Sequence, residues 1–138
     1  MREIKFRGKR IDNGTWVTGY YVKAERLNKN GYEYFIIEEQ AEGATYHVLP
    51  ETVGQYTGMK DYSGTEIYEG DIVRRDDHSI IGVVKFGEYS QPFNDGFSKH
   101  IGFYIDWTDM FRCDLDYWAE RCEVAGNLHD NPELMEEE

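Results

Sequence analysis

Apolar and polar side chains alternate with a period of two through most of the first two thirds of the chain, the pattern of half-buried β-strands. Ile4, Phe6 and Gly8 alternate with Lys5, Arg7 and Lys9. Asp12-Asn13-Gly14 supplies residues that tolerate positive φ, and Thr15 to Lys23 reads as the returning strand of a hairpin. Asn30-Gly31 precedes Tyr32 to Glu39, whose aromatic and β-branched residues favour a further strand. Ala44 to Leu49 reads as another, which Pro50 interrupts and Thr52 to Thr57 resumes. Gly58, Asp61-Tyr62-Ser63-Gly64 and Gly70 punctuate the next stretch around Thr65 to Tyr68.

After Gly70, Asp71 to Arg75 and Ile80 to Phe86 read as strands, the second apolar enough for burial on both faces. Tyr89 to His100, with Pro92 and Asn94-Asp95-Gly96, reads as a polar loop, and Ile101 to Trp107 as the next strand. Phe111, Leu115, Trp118 and Cys122 fall four, three and four apart, one face of a short amphipathic helix. Glu123 to Leu128 closes the strand series. Asn131 with Pro132 then predicts a capped final turn, and Glu136 to Glu138 are expected to fray. Short strands with turn signals about every ten residues make the chain all-β, a small roll or barrel. The division expected is an N-terminal β-hairpin region over residues 1–57 and an SH3-like barrel over 58–138, the two forming one compact unit with minor short helices.

Composition narrows the function. The 138 residues carry 15 Lys and Arg against 27 Asp and Glu, a net charge of −12. That balance speaks against a general nucleic-acid binder, because Lys and Arg supply most of the affinity for phosphates. The charge is uneven: residues 1–26 hold seven basic and three acidic side chains, residues 88–138 three basic and thirteen acidic. The two ends are therefore expected to attract one another or to face different partners. No apolar run approaches the roughly 20 residues of a membrane span, and no signal-peptide core follows Met1, so a cytoplasmic protein is expected. Cys113 and Cys122 read as reduced packing residues. On a helix, nine steps would part their Cα atoms beyond the roughly 7 Å a disulfide allows.

Chemistry-bearing motifs are sparse. Asp76-Asp77-His78 and His129-Asp130 are contiguous, which is poor ligand geometry on a strand, and no zinc spacing exists. Asp61 to Glu66 has Glu66 where a calcium loop needs glycine. There is no Gly-x-Ser-x-Gly elbow, and Asp114 and Asp116 lie in an acidic, exposed stretch where nothing forces their pKa values apart. No catalytic, metal or cofactor residue is therefore assigned. The basic strand Lys5, Arg7 and Lys9, flanked by Arg2 and Arg10, is the candidate nucleic-acid surface; equally, it is the polar face of an edge strand. Asp106, Asp109, Asp114, Asp116, Glu120 and Glu123, interleaved with Trp107, Phe111, Leu115 and Trp118, are the candidate for DNA mimicry. Eleven Tyr and three Trp exceed what so small a core readily hides, and they favour a protein-binding or assembly module.

The chain resembles the YopX family of phage and prophage proteins. The resemblance is carried by Glu3-Ile4-Lys5-Phe6-Arg7-Gly8, Trp16 with Gly19-Tyr20-Tyr21, and Thr52-Val53-Gly54-Gln55-Tyr56-Thr57-Gly58. It continues through Lys60-Asp61, Gly64, Glu66-Ile67-Tyr68-Glu69-Gly70-Asp71-Ile72-Val73, Glu123-Val124, Gly126-Asn127 and Asn131-Pro132-Glu133-Leu134. It implies a small β-rich fold with an SH3-like second half, and an origin in bacteriophages or prophages. It supplies no catalytic residue. The expectation is thus a non-enzymatic phage accessory protein acting on a protein partner or a second copy of itself in the bacterial cytoplasm. A nucleic-acid module and an acidic inhibitor of a host factor are the alternatives.

Overall fold

In the computed structural model, which describes residues 3–39, 43–75 and 80–136, antiparallel strands dominate as expected. The chain divides into two units between Tyr56 and Thr57. Arg2, the Asp76-Asp77-His78 turn, and Glu137 and Glu138 lie outside the described residues.

The first unit is built from β1 (Phe6–Arg10), β2 (Trp16–Glu25), β3 (Tyr32–Ile37) and the first part of β4 (Thr45–Lys60). The β1–β2 turn closes as its composition predicts. Arg10 N donates to Thr15 O at 2.8 Å, Asn13 Oδ1 accepts from Thr15 N at 3.0 Å, and Gly14 takes φ 74°. The pairing then runs from β1 to β2, β2 to β3, β3 to β4, and from β4 back to β1. These four strands close on themselves.

The edge-strand reading of β1 is thereby overturned, since it has a neighbour on each side. Pro50 does not end β4; the strand bulges instead. Lys9 pairs with Leu49 and Arg7 with Gly54, and the extra residues loop out between. Thr52 Oγ1 ties this bulge down, accepting from Lys9 N at 2.9 Å and donating to Leu49 O at 2.6 Å. Inside the ring, Ile36 and Val48 are buried, and Val48 lies where a Cβ on Gly8 would come within 3.1 Å.

The second unit contains the end of β4 with β5 (Glu66–Tyr68), then β6 (Asp71–Arg75), β7 (Ile81–Phe93), β8 (Gly96–Trp107), β9 (Cys113–Asp114) and β10 (Cys122–Asn127). Among the described residues its hydrogen-bonded order is β10-β6-β7-β8-β9, with β5 paired to β4 outside it. Ile67, Val73, Val84, Ile105, Trp107, Leu115, Ala119 and Cys122 form its core.

Three sequence expectations are corrected. The loop expected at Tyr89 to His100 is a continuous hairpin, paired from Gly82↔Trp107 to Phe93↔Gly96 across a two-residue turn with Asn94 at φ 54°. Pro92 is tolerated because β6 pairs with β7 only over Ile81–Val83, so no strand asks for its missing N–H on that side. The helix is shorter than its apolar spacing suggests. Only Leu115–Trp118 (α1) is α-helical, a 3-10 turn follows at Ala119–Arg121, and Phe111 lies outside both. Finally, Asn131 precedes the 3-10 turn Pro132–Glu136, but its side chain accepts from Asn127 N at 3.2 Å instead of capping that turn.

Candidate functional site

Lys5, just before β1, and Arg7 and Lys9 on it do share one face, as their alternation requires. Each stands over an aromatic ring. Lys5 Nζ lies 5.0 Å from the Tyr56 centroid, and the Arg7 guanidinium and Lys9 Nζ lie 4.9 and 5.9 Å from that of Trp16. Lys5 also approaches Glu3 at 3.6 Å. All three are half-buried, with their stems laid along the sheet. Arg10 emerges on the opposite face, where it clamps Asp12 at 2.6 Å and covers Tyr46. A phosphate groove needs cations that reach outward. These are engaged in packing.

The acidic residues do not form a phosphate-like row either. Asp106 is held by Lys85 at 2.9 Å and Arg112 at 3.6 Å, and Asp109 by Arg75 at 2.8 Å. Asp114 caps α1 by accepting from Asp116 N at 2.9 Å. Glu123 stands opposite Arg74 across the β6–β10 pair. With Asp106 and Asp109 paired to cations and Asp114 engaged as a cap, the exposed Asp116 and Glu120 do not continue an unbroken negative track like that of a duplex backbone.

Among the described residues, no three His, Cys, Asp or Glu side chains converge as metal ligands. His47 packs on Phe35 at 4.5 Å, while His100 stacks on Tyr89 and bonds Ser98. Both thiols are unbridged. Burial, with help from the Asp61 and Glu123 carboxylates, pushes the Cys122 thiol up to about 12, and burial also raises that of Cys113. Neither is tuned as a nucleophile. Iodoacetamide at mildly alkaline pH is expected to modify Cys113 in the folded protein and Cys122 only after denaturant is added. Equal rates in the folded state, read by mass spectrometry, would contradict this placement.

The feature that sequence reasoning missed is the outer part of the β7–β8 hairpin. Beyond the residues β6 and β9 pair with, its two strands pair only with each other among the described residues. On one face Phe86, Glu88, Ser90 and Pro92 of β7 stand opposite Phe103, Ile101, Lys99 and Phe97 of β8. Phe86 is 53% exposed, Phe97 60% and Ile101 77%. Rings still organise the face: Phe86 meets Phe103 edge-on at 4.9 Å, and Phe97 meets the exposed Phe111 at 5.3 Å. The other face turns inward, where Tyr89 stacks on Tyr104 at 4.8 Å and Gln91 Oε1 accepts from Asp114 N at 3.2 Å. Beside the hairpin lies an open cleft of about 510 Å³, lined by Glu88, Ser90, Lys99, Met110, Phe111 and Arg112. The period-two run Phe97, Lys99, Ile101, Phe103 was the signal that could have revealed this face. The polar residues between hid it.

No helix among the described residues is long and apolar enough to cross a membrane. No curated protein matches the chain. The family model described as YopX protein does, over residues 5–136, which takes in both the closed ring of strands and the exposed hairpin. With nearly its whole length matched, the chain belongs to the YopX family.

Proposed function

We propose that the protein is a non-catalytic binding or assembly module of a bacteriophage or prophage, acting on a protein partner in the bacterial cytoplasm through the exposed face of the β7–β8 hairpin. One observation carries this reading: Phe86, Phe97 and Ile101 lie on a single strand-paired face and stay more than half exposed. Large apolar side chains gathered in this way, rimmed by polar ones, mark interaction surfaces more than solvated ones. The thiols raised by burial and the dispersed histidines support a binding role over a chemical one. The nucleic-acid reading through Lys5, Arg7 and Lys9 ranks lower, because those cations lie half-buried on Trp16 and Tyr56.

The test compares capture from host-cell lysate by the wild-type chain with capture by Ile101→Lys and Phe97→Ser. Each protein found is then confirmed by binding in purified form. A genuine partner is expected to bind the variants at least about tenfold more weakly, the loss typical of a central interface residue. Partners held equally well by all three proteins would place the binding surface elsewhere.

A further inference from the structure

We infer that the occupant of this hairpin face is a second copy of the chain, packed about a two-fold axis. The inference rests on the binding-module reading and names its partner. Three observations bear on this: the area suffices for a dimer, and the charge of the unit and its arrangement on the face favour a copy over an unrelated protein.

The first is area. Phe86, Phe97, Ile101 and Phe111 are each more than half exposed, and at about 200 Å² for a large side chain they offer roughly 450 Å² of apolar surface. A two-fold operator doubles this, and Glu88, Ser90 and Lys99 between them carry the total past the roughly 1,000 Å² that a specific contact needs. Such an interface suits a reversible dimer, not an obligate one.

The second is the local charge. Residues 57–138 hold seven basic and nineteen acidic side chains, so the unit that bears the hairpin accounts for the whole net charge of −12. A basic partner would be drawn to that excess, yet the excess is not on this face. Nearby, Asp106 is answered by Lys85 and Arg112, and Asp109 by Arg75. The face is where an acidic molecule can be approached by its own kind.

The third is self-complementarity. The face carries one exposed charge of each sign, Glu88 and Lys99, on neighbouring cross-strand pairs. A two-fold axis passing midway between them sets each against its opposite in the other copy, and both contacts then form together.

Salt acts on two opposed terms, the Glu88–Lys99 contacts, each worth at most about 1 kcal/mol, and the repulsion between two chains of charge −12, which is the larger. Two copies with the same net charge repel at long range, and salt screens that repulsion over a Debye length near 8 Å at physiological ionic strength. Self-association should therefore tighten as salt rises, whereas attraction between this acidic chain and a basic protein should weaken.

The experiment is analytical ultracentrifugation of the full chain across a concentration series at low and high salt. The wild type is expected to pass from monomer to dimer mass, at lower concentration in high salt. Ile101→Lys is expected to move that midpoint up at least about tenfold while melting like the wild type, since the side chain is largely exposed. Phe97→Ser should shift it in the same direction. A monomer at every concentration, a dimer indifferent to both variants, or a dimer that salt dissociates would each overturn the inference. If the wild type is monomeric and lysate capture is still lost in Ile101→Lys, the occupant is a different protein and the binding-module reading survives. If neither depends on Ile101, both fall.

Discussion

Replacing Gly19 with alanine is expected to open the closed ring of the first unit, at a cost of about 3 kcal/mol or more. Gly19 sits on β2 opposite Phe6, at the point where β2 passes from pairing with β1 to pairing with β3. It adopts φ 155°, and a Cβ there would lie 2.1 Å from the carbonyl oxygen of Ile37 and 2.8 Å from its carbon. A flexible side chain could move aside. A strand carbonyl moves only if the ladder moves with it, so the methyl group forces β2 and β3 apart. Hydrogen exchange reads the result directly: amides of β1 to β3 and the early part of β4 should lose protection. Unchanged protection would mean that the two strands tolerate an approach no real Cβ makes.

The second large effect is centred on Asp61, which is only 5% exposed. Its Oδ1 accepts from Ser63 N, Ser63 Oγ and Thr65 N, all at 2.9 Å, and its Oδ2 accepts from Val124 N at 2.8 Å. One carboxylate thus closes the turn before β5 and fastens it to β10. Burial alone would raise its pKa, but the amides of Val124, Thr65 and Ser63 and the Ser63 hydroxyl together hold it below the usual aspartate value. Asp61→Ala should lower stability by about 3 kcal/mol, because hydrogen bonds to a charged acceptor are lost and the Val124 amide is left without one. Asp61→Asn keeps the Oδ1 contacts but turns an NH₂ toward Val124 N, so it should lose roughly half as much.

The pH dependence has a fixed sign. A carboxylate whose folded pKa is depressed contributes fully above its unfolded pKa, and the contribution is lost as pH falls through the folded value. Denaturant melts at neutral pH and near pH 3 should therefore show the wild type converging on Asp61→Asn in acid. A difference between the two that is constant with pH would show that the charge on Asp61 is not what holds the turn.

Strands β1 to β3 were legible because apolar and polar residue types alternate along β1 and aromatic and β-branched residues run through β2 and β3, although only Gly8, Gly19 and Ile36 of these strands are fully buried. The hairpin was not. Ser90, Gln91, Ser98, Lys99 and His100 break up the period-two run of Phe97, Ile101 and Phe103 with polar residues on both faces, and Pro92 argued for a loop. The 4-3-4 spacing of Phe111, Leu115, Trp118 and Cys122 identified two core residues, Leu115 and Cys122, but not the helix length, since Phe111 is turned out against Phe97. The closure of β4 onto β1 depends on residues some forty positions apart, and local pattern carries no information at that range. For the same reason the shared face of Lys5, Arg7 and Lys9 could be read from their alternation, while the Trp16 and Tyr56 rings beneath them could not.

That long-range closure bears on how the chain is made. On the ribosome, β1, β2 and β3 emerge in order and each can pair with the one before, so an early meander needs nothing further downstream. β1 cannot gain its second neighbour until Val48 to Gln55 have left the exit tunnel. Until then the nascent chain presents an open strand edge, with Ile4 and Phe6 beside it, of the kind that templates pairing between polypeptides on neighbouring ribosomes. The finished ring hides that edge, so this vulnerability is confined to synthesis, and the interval between translating residue 37 and residue 55 sets how long it lasts.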